Sequence, residues 1–163
     1  MTLSTTRLIA ATPLALLLAA CGSETGEVEA PAGEAPAEIA ERQDNFEGIK
    51  DSFMVIRANF EEGAETDLAA VEAAARDINE RAGRIGDHFP AGSGMDDGWD
   101  SEALASIWER PEEFAAAHER LVGESEALAR LAGEGDAAAV LAQVGALGGS
   151  CKECHDNFRL DTN

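Results

Sequence analysis

A chain of 163 residues with 45% apolar side chains has material for one hydrophobic core, so a single domain is expected. Tyr is absent, Pro occurs only five times, and a composition rich in Ala, Glu, Leu and Arg favours an all-α fold. With 32 acidic against 12 basic residues the formal net charge is -20, which excludes a nucleic-acid partner and favours basic protein partners.

Residues 1–20 read as an export signal. Arg7 lies near the amino terminus, and Leu8 to Ala20 form an apolar stretch broken by Thr12 and Pro13, too short to span a membrane as a mature helix. The stretch ends in Leu18-Ala19-Ala20-Cys21, which resembles the lipobox of bacterial lipoproteins, where the cysteine becomes the lipidated first residue. An ordinary signal peptide with an incidental cysteine is the alternative. Lipidation of Cys21 also resolves the count of three cysteines, because it leaves Cys151 and Cys154 as a pair. Gly22 and Ser23 follow with no Asp, which favours the outer membrane over the inner. The expected location is therefore the bacterial periplasm, with the protein held to a membrane by lipid. Residues 21–36 have almost no large hydrophobes and read as a flexible tether to a folded domain over 37–163.

Four helical patterns follow. The first carries Ile39, Phe46, Ile49, Phe53, Ile56 and Phe60 on one face and stops near Gly63. The second starts at Asp67 as N-cap, runs through Leu68, Val71, Ala75, Ile78, Ala82 and Ile85, and ends near Gly86. His88 to Asp100, with Pro90, Gly92, Gly94 and Gly98, is a loop over which Trp99 is expected to fold back as a lid, and Ser101 to Trp108 holds a short helical turn. Pro111 suits the first position of the third long helix, whose core face carries Phe114, Ala117 or His118, Leu121, Leu128 and Leu131 before Gly133 and Gly135 close it. Asp136 caps the last, with Val140, Val144, Leu147, Cys151, Cys154 and Phe158 facing inward. Short, long and short connections predict an antiparallel four-helix bundle.

Cys151-Lys152-Glu153-Cys154-His155 has the order a c-type haem requires: two thiols to add across the vinyl groups and an imidazole for the iron. On a helix the steps of three and four residues bring these side chains to one face. A redox dithiol would sit at the start of a helix after a strand. Zinc would want four ligands where only His88 and His118 remain as further histidines, and a plain disulfide is the third competitor. Gly145, Gly148 and Gly149 each cost the last helix roughly 1 kcal/mol relative to Ala. They allow close approach of another helix or of the macrocycle, or they mark nothing more than a weak helix.

Over residues 37–160 the chain resembles the cytochrome c prime family, the class II c-type cytochromes, here in a lipoprotein form. The resemblance rests on Arg42-Gln43, the loop Phe89-Pro90-Ala91-Gly92-Ser93-Gly94, Ile107-Trp108 before Pro111, Phe114-Ala115-Ala116-Ala117, and Ser150 to Arg159 around the haem motif. It implies a left-handed antiparallel four-helix bundle, a frequent homodimer through the first two helices, and one covalent haem c on Cys151 and Cys154 with His155 as axial ligand. It further implies that Arg42 pairs with a haem propionate, that Phe46 covers the distal face of the iron, and that Arg159 lies by the proximal pocket. The alternatives are a solvated helix arginine, an ordinary core phenylalanine and a cation at a helix C-terminus. The lipobox departs from the family's soluble members and puts free diffusion between redox partners in doubt.

Two functions fit. One is a carrier or sensor that transfers electrons to a redox partner protein or reversibly binds a diatomic gas, nitric oxide or carbon monoxide. The other is a haem enzyme reducing nitric oxide or peroxide at an open iron site. Peroxide chemistry profits from a distal acid or base, and Phe46 with Gly48 and Ile49 supplies none, which favours the carrier. Low-spin relatives, the cytochromes c-556, place a methionine over the iron. Met54 lies about 12 Å along the helix from Phe46 at 1.5 Å per residue, and Met95 sits in the glycine-rich loop, so a five-coordinate iron is expected.

Overall fold

The computed structural model describes residues 33–161, so the expected signal peptide, the lipidation site Cys21 and tether residues 21–32 lie outside the described residues. Five α-helices form: α1 (Ala37–Ala58), α2 (Leu68–Ala82), the single turn α3 (Ser106–Glu109), α4 (Pro111–Glu134) and α5 (Ala137–Phe158). Among the described residues the only β pairing is an isolated antiparallel bridge, Ala103 to Arg159.

Local chemistry sets the helix ends. The Asp67 carboxylate accepts the Ala69 and Ala70 amides at 3.0 and 3.1 Å, and Asp136 accepts the Ala139 amide at 3.0 Å, satisfying donors that the first turns of α2 and α5 leave free. Pro111 opens α4, where its missing N–H costs nothing. Gly135 closes α4 with φ +82, a left-handed conformation that side chains resist, while Gly133, expected to share that role, lies inside the helix. One boundary differs from expectation: α2 ends at Ala82, and Ile85 belongs to a separate 3-10 turn, Ile85–His88. Gly83 and Gly86 weaken the helix there, yet Ile85 stays buried, so the apolar period outlasts the helix.

The helix pairs α1–α2, α2–α4 and α4–α5 pack along their lengths, and the antiparallel four-helix bundle is completed with α1 beside α5. Ile56, Val71, Ile78, Leu128, Val140 and Leu147 are fully enclosed. Burying each contributes about 1.5–3 kcal/mol, so these few side chains dominate the core. Asn79 on α2 donates to Val122 O at 2.8 Å and Ser125 Oγ at 3.2 Å on α4, and Arg120 on α4 ion-pairs with Glu153 on α5.

Phe53 of α1 lies against Gly148 of α5, and Phe46, Val144, Cys151 and Cys154 pack against the core without being fully buried. The long connection between α2 and α4 crosses one end of the bundle, and Trp99, expected as a lid, donates from Nε1 to Gly92 O at 2.9 Å and so closes the loop upon itself.

Candidate haem site

Cys151 and Cys154 stand on the last turns of α5, each half-buried and not joined to one another, with His155 following and more exposed. Burial pushes both thiols up, Cys154 to about 11 with added repulsion from Cys151 and Glu153. Protonated thiols of this kind are the opposite of a redox dithiol, which works through a depressed pKa. Among the described residues no group of three or more His, Cys, Asp and Glu gathers as metal ligands, so the pair finds no company for zinc. Burial, followed by the charge of Arg159, pulls the His155 imidazole down, keeping its neutral form with a lone pair free for a metal.

Ser150 spends its hydroxyl within the helix, donating to Leu147 O at 2.7 Å. Of the three glycines before the motif, only Gly148 has a packing purpose among these residues: a Cβ there would lie 3.4 Å from the Phe53 ring of α1. Gly145 and Gly149 face open space.

Arg42 on α1 is 4% exposed. Its Nη1 donates to Ser93 Oγ at 2.8 Å, and its Nη2 donates to Ser93 O at 2.5 Å and Ser101 Oγ at 2.6 Å. All three partners are neutral. A buried cation so placed has lost its hydration without gaining a counter-charge, and burial lowers its pKa accordingly. The position suits an acidic group of a bound cofactor, and a haem carries two propionates. Phe46, one turn further along α1, lays its ring edge-to-face on Phe89 with centroids 6.4 Å apart.

Arg159 is the C-cap of α5, with φ -122 and ψ 140, and its Nε donates to Glu102 at 2.6 Å in an exposed ion pair. Around it Leu104 N donates to Phe158 O at 3.1 Å and Leu160 N to Glu102 O at 2.8 Å, which pins the end of α5 to the segment before α3. His88 faces Glu41 at 3.5 Å, and His118 packs near Phe114 with a buried Nδ1 that finds no partner.

Ser93, Ser101 and Glu102 were not singled out by sequence as site residues. Ser93 stands within a loop that was, but nothing in a single sequence shows that its hydroxyl faces Arg42.

A helical bundle whose last helix carries two thiols and an imidazole within five residues, with an arginine buried on its first helix, defines a c-type haem protein of the helical class. The pattern of the family described as Cytochrome C' matches residues 37–159, and the chain belongs to that family. It is 32% identical to the cytochrome c' of Rhodopseudomonas palustris over 121 residues, 74% of this chain and 80% of that one. It is 36% identical to a cytochrome c-554 of Cereibacter sphaeroides over 73 residues, 44% of this chain and 46% of that one, so it spans about half the length of that relative. Among solved structures, cytochrome c prime from Shewanella frigidimarina superposes with a TM-score of 0.72 at 27% identity, covering 80% of this chain and all, 100%, of that one. The protein binds one covalent haem c, and the Cys151 to His155 motif is the segment whose donor set fits it.

Proposed function

We propose that the protein is an exported, lipid-anchored carrier that transfers electrons or reversibly binds nitric oxide or carbon monoxide at a five-coordinate haem iron. Cys151 and Cys154 would hold the haem through thioether bonds, His155 would supply a nitrogen ligand to its iron, and Arg42 would neutralise a propionate. When bound, the haem supplies an iron able to take up an electron or a diatomic gas. Arg159, tied to Glu102, borders the proximal side, and its positive charge favours the neutral state of His155.

The observation that carries this reading is the pairing of Arg42 with Phe46 one turn on. The propionate anchor brings the ring to the distal side of the iron, and a phenyl ring cannot ligate. Met54 is 52% exposed on α1, and Met95 lies in the 3-10 turn Met95–Asp97, so neither is placed to serve instead. A solved cytochrome c', 30% identical to this chain, is described as showing ligand-controlled dimer dissociation, which supports a homodimer that responds to ligand here.

The test is optical. Ferric protein is expected to be high-spin, and carbon monoxide to bind the ferrous form slowly because Phe46 stands in the way. A low-spin ferric spectrum with a methionine-to-iron band or a bis-histidine signature overturns the reading.

A further inference from the structure

Phe89 is the point where the distal side of the site meets the core. Phe46 presses on it edge-to-face at 6.4 Å and the Arg42 guanidinium lies over its ring at 5.1 Å. Behind it stand Phe114 at 4.9 Å and Trp108 at 6.4 Å. Neither support can easily retreat. Phe114 is backed by Phe158 at 5.3 Å, and the Trp108 ring is so close to Gly94 that a Cβ there would come within 2.8 Å of it. The backbone is held as well: Trp108 Nε1 donates to Phe89 O at 3.1 Å, and Pro90 keeps the preceding residue out of the helical region.

Phe46 is half-buried on α1, and among the described residues Phe89 is the aromatic ring that touches it. Edge-to-face ring pairs favour one arrangement by about two- to tenfold. We infer that Phe89 is a positioning residue: it holds the Phe46 ring over the iron and thereby sets how fast a gas ligand enters. The inference rests on the reading of Phe46 as the distal residue. It adds that the barrier is built by two rings, only one of which faces the iron.

The experiment follows carbon monoxide association with the ferrous haem-loaded protein after flash photolysis. Phe89→Leu is expected to accelerate association about two- to tenfold, the loss of one ring pair. In a Phe46→Ala background the same change is expected to add nothing, because the ring it positions is gone. Phe60→Leu removes an aromatic side chain packed on the core without touching Phe46 or Phe89, and is expected to lower thermal stability while leaving association unchanged. If Phe89→Leu yields too little haem protein, Phe89→Met keeps the volume and is read in the same way. In the diamagnetic carbonyl form, proton cross-relaxation between the two rings is expected and is independent of the kinetics. Equal acceleration by Phe89→Leu with and without Phe46, or the same acceleration from Phe60→Leu, overturns the inference and leaves the distal reading intact. A Phe46→Ala protein that binds carbon monoxide at the original rate overturns both.

Discussion

The two cysteines and Arg42 ask for opposite tests, because on the proposed reading the thiols bond the cofactor and the guanidinium only neutralises it. Replacing Cys151 and Cys154 together by Ala is expected to abolish covalent haem, read on a denaturing gel stained for haem. Haem signal remaining with the polypeptide would contradict the attachment outright. Arg42→Gln, by contrast, is expected to keep the stain but destabilise the haem-loaded protein by about 1.5–3 kcal/mol, the usual worth of hydrogen bonds to a charged group. Denaturant unfolding measures it, and no loss would mean that the guanidinium's bonds to Ser93 and Ser101 are energetically idle. The thiols and the imidazole were legible because their chemistry is local, three residue types within five positions. The partners of Arg42 were not, since Ser93 and Ser101 lie 51 and 59 residues away and a serine carries no pattern that marks it as inward-facing. Asn45 shows the same blindness: it is buried in α1 and donates to Arg81 O on α2 at 3.0 Å, where periodicity alone offers a polar residue no place.

At the scale of whole elements the apolar period was a reliable guide, and its failures have a common cause. Ile85 and Gly133 were each assigned to the wrong side of a helix end, because glycine weakens a helix without deciding where it stops. What decides is whether the next carbonyls and amides find partners, and that depends on backbone geometry such as the positive φ of Gly135. The glycines of α5 turn this into a prediction. Gly145 faces open space, so Gly145→Ala is expected to stabilise the protein by about 0.5–1 kcal/mol through helix propensity and a stiffer unfolded chain. Gly148→Val is expected to destabilise it, since even a Cβ would touch the Phe53 ring and a branched side chain must displace it. Thermal melts of the two haem-loaded variants decide the matter. A destabilising Gly145→Ala would mean that the macrocycle, and not solvent, lies over that turn.

The whole chain carries a formal charge of -20, and on the proposed reading residues 18–21 decide where that charge is displayed. A strongly acidic surface attracts basic partners over a Debye length of roughly 8 Å at physiological ionic strength, so it guides encounter more than it tightens the complex. For a freely diffusing carrier that guidance acts in three dimensions. For a lipid-anchored one it acts only within reach of the tether, and partners must come to the membrane. The distinction turns on Cys21, preceded by Leu18-Ala19-Ala20. One acyl chain gives only marginal membrane binding, whereas the several chains of a lipoprotein hold it stably. Wild-type protein is therefore expected to fractionate with membranes, to begin at Cys21 after processing, and to stay bound in high salt, which would release a protein held by charge alone. Cys21→Ala is expected to leave the precursor uncleaved or to release the protein into the soluble fraction, with the haem stain unchanged because Cys151 and Cys154 are intact. Mass spectrometry of the mature terminus and haem-stained fractions of wild type and variant measure both. A mature terminus elsewhere, with all wild-type protein soluble, would remove the anchor and make this a diffusing carrier whose acidic surface steers encounter in three dimensions.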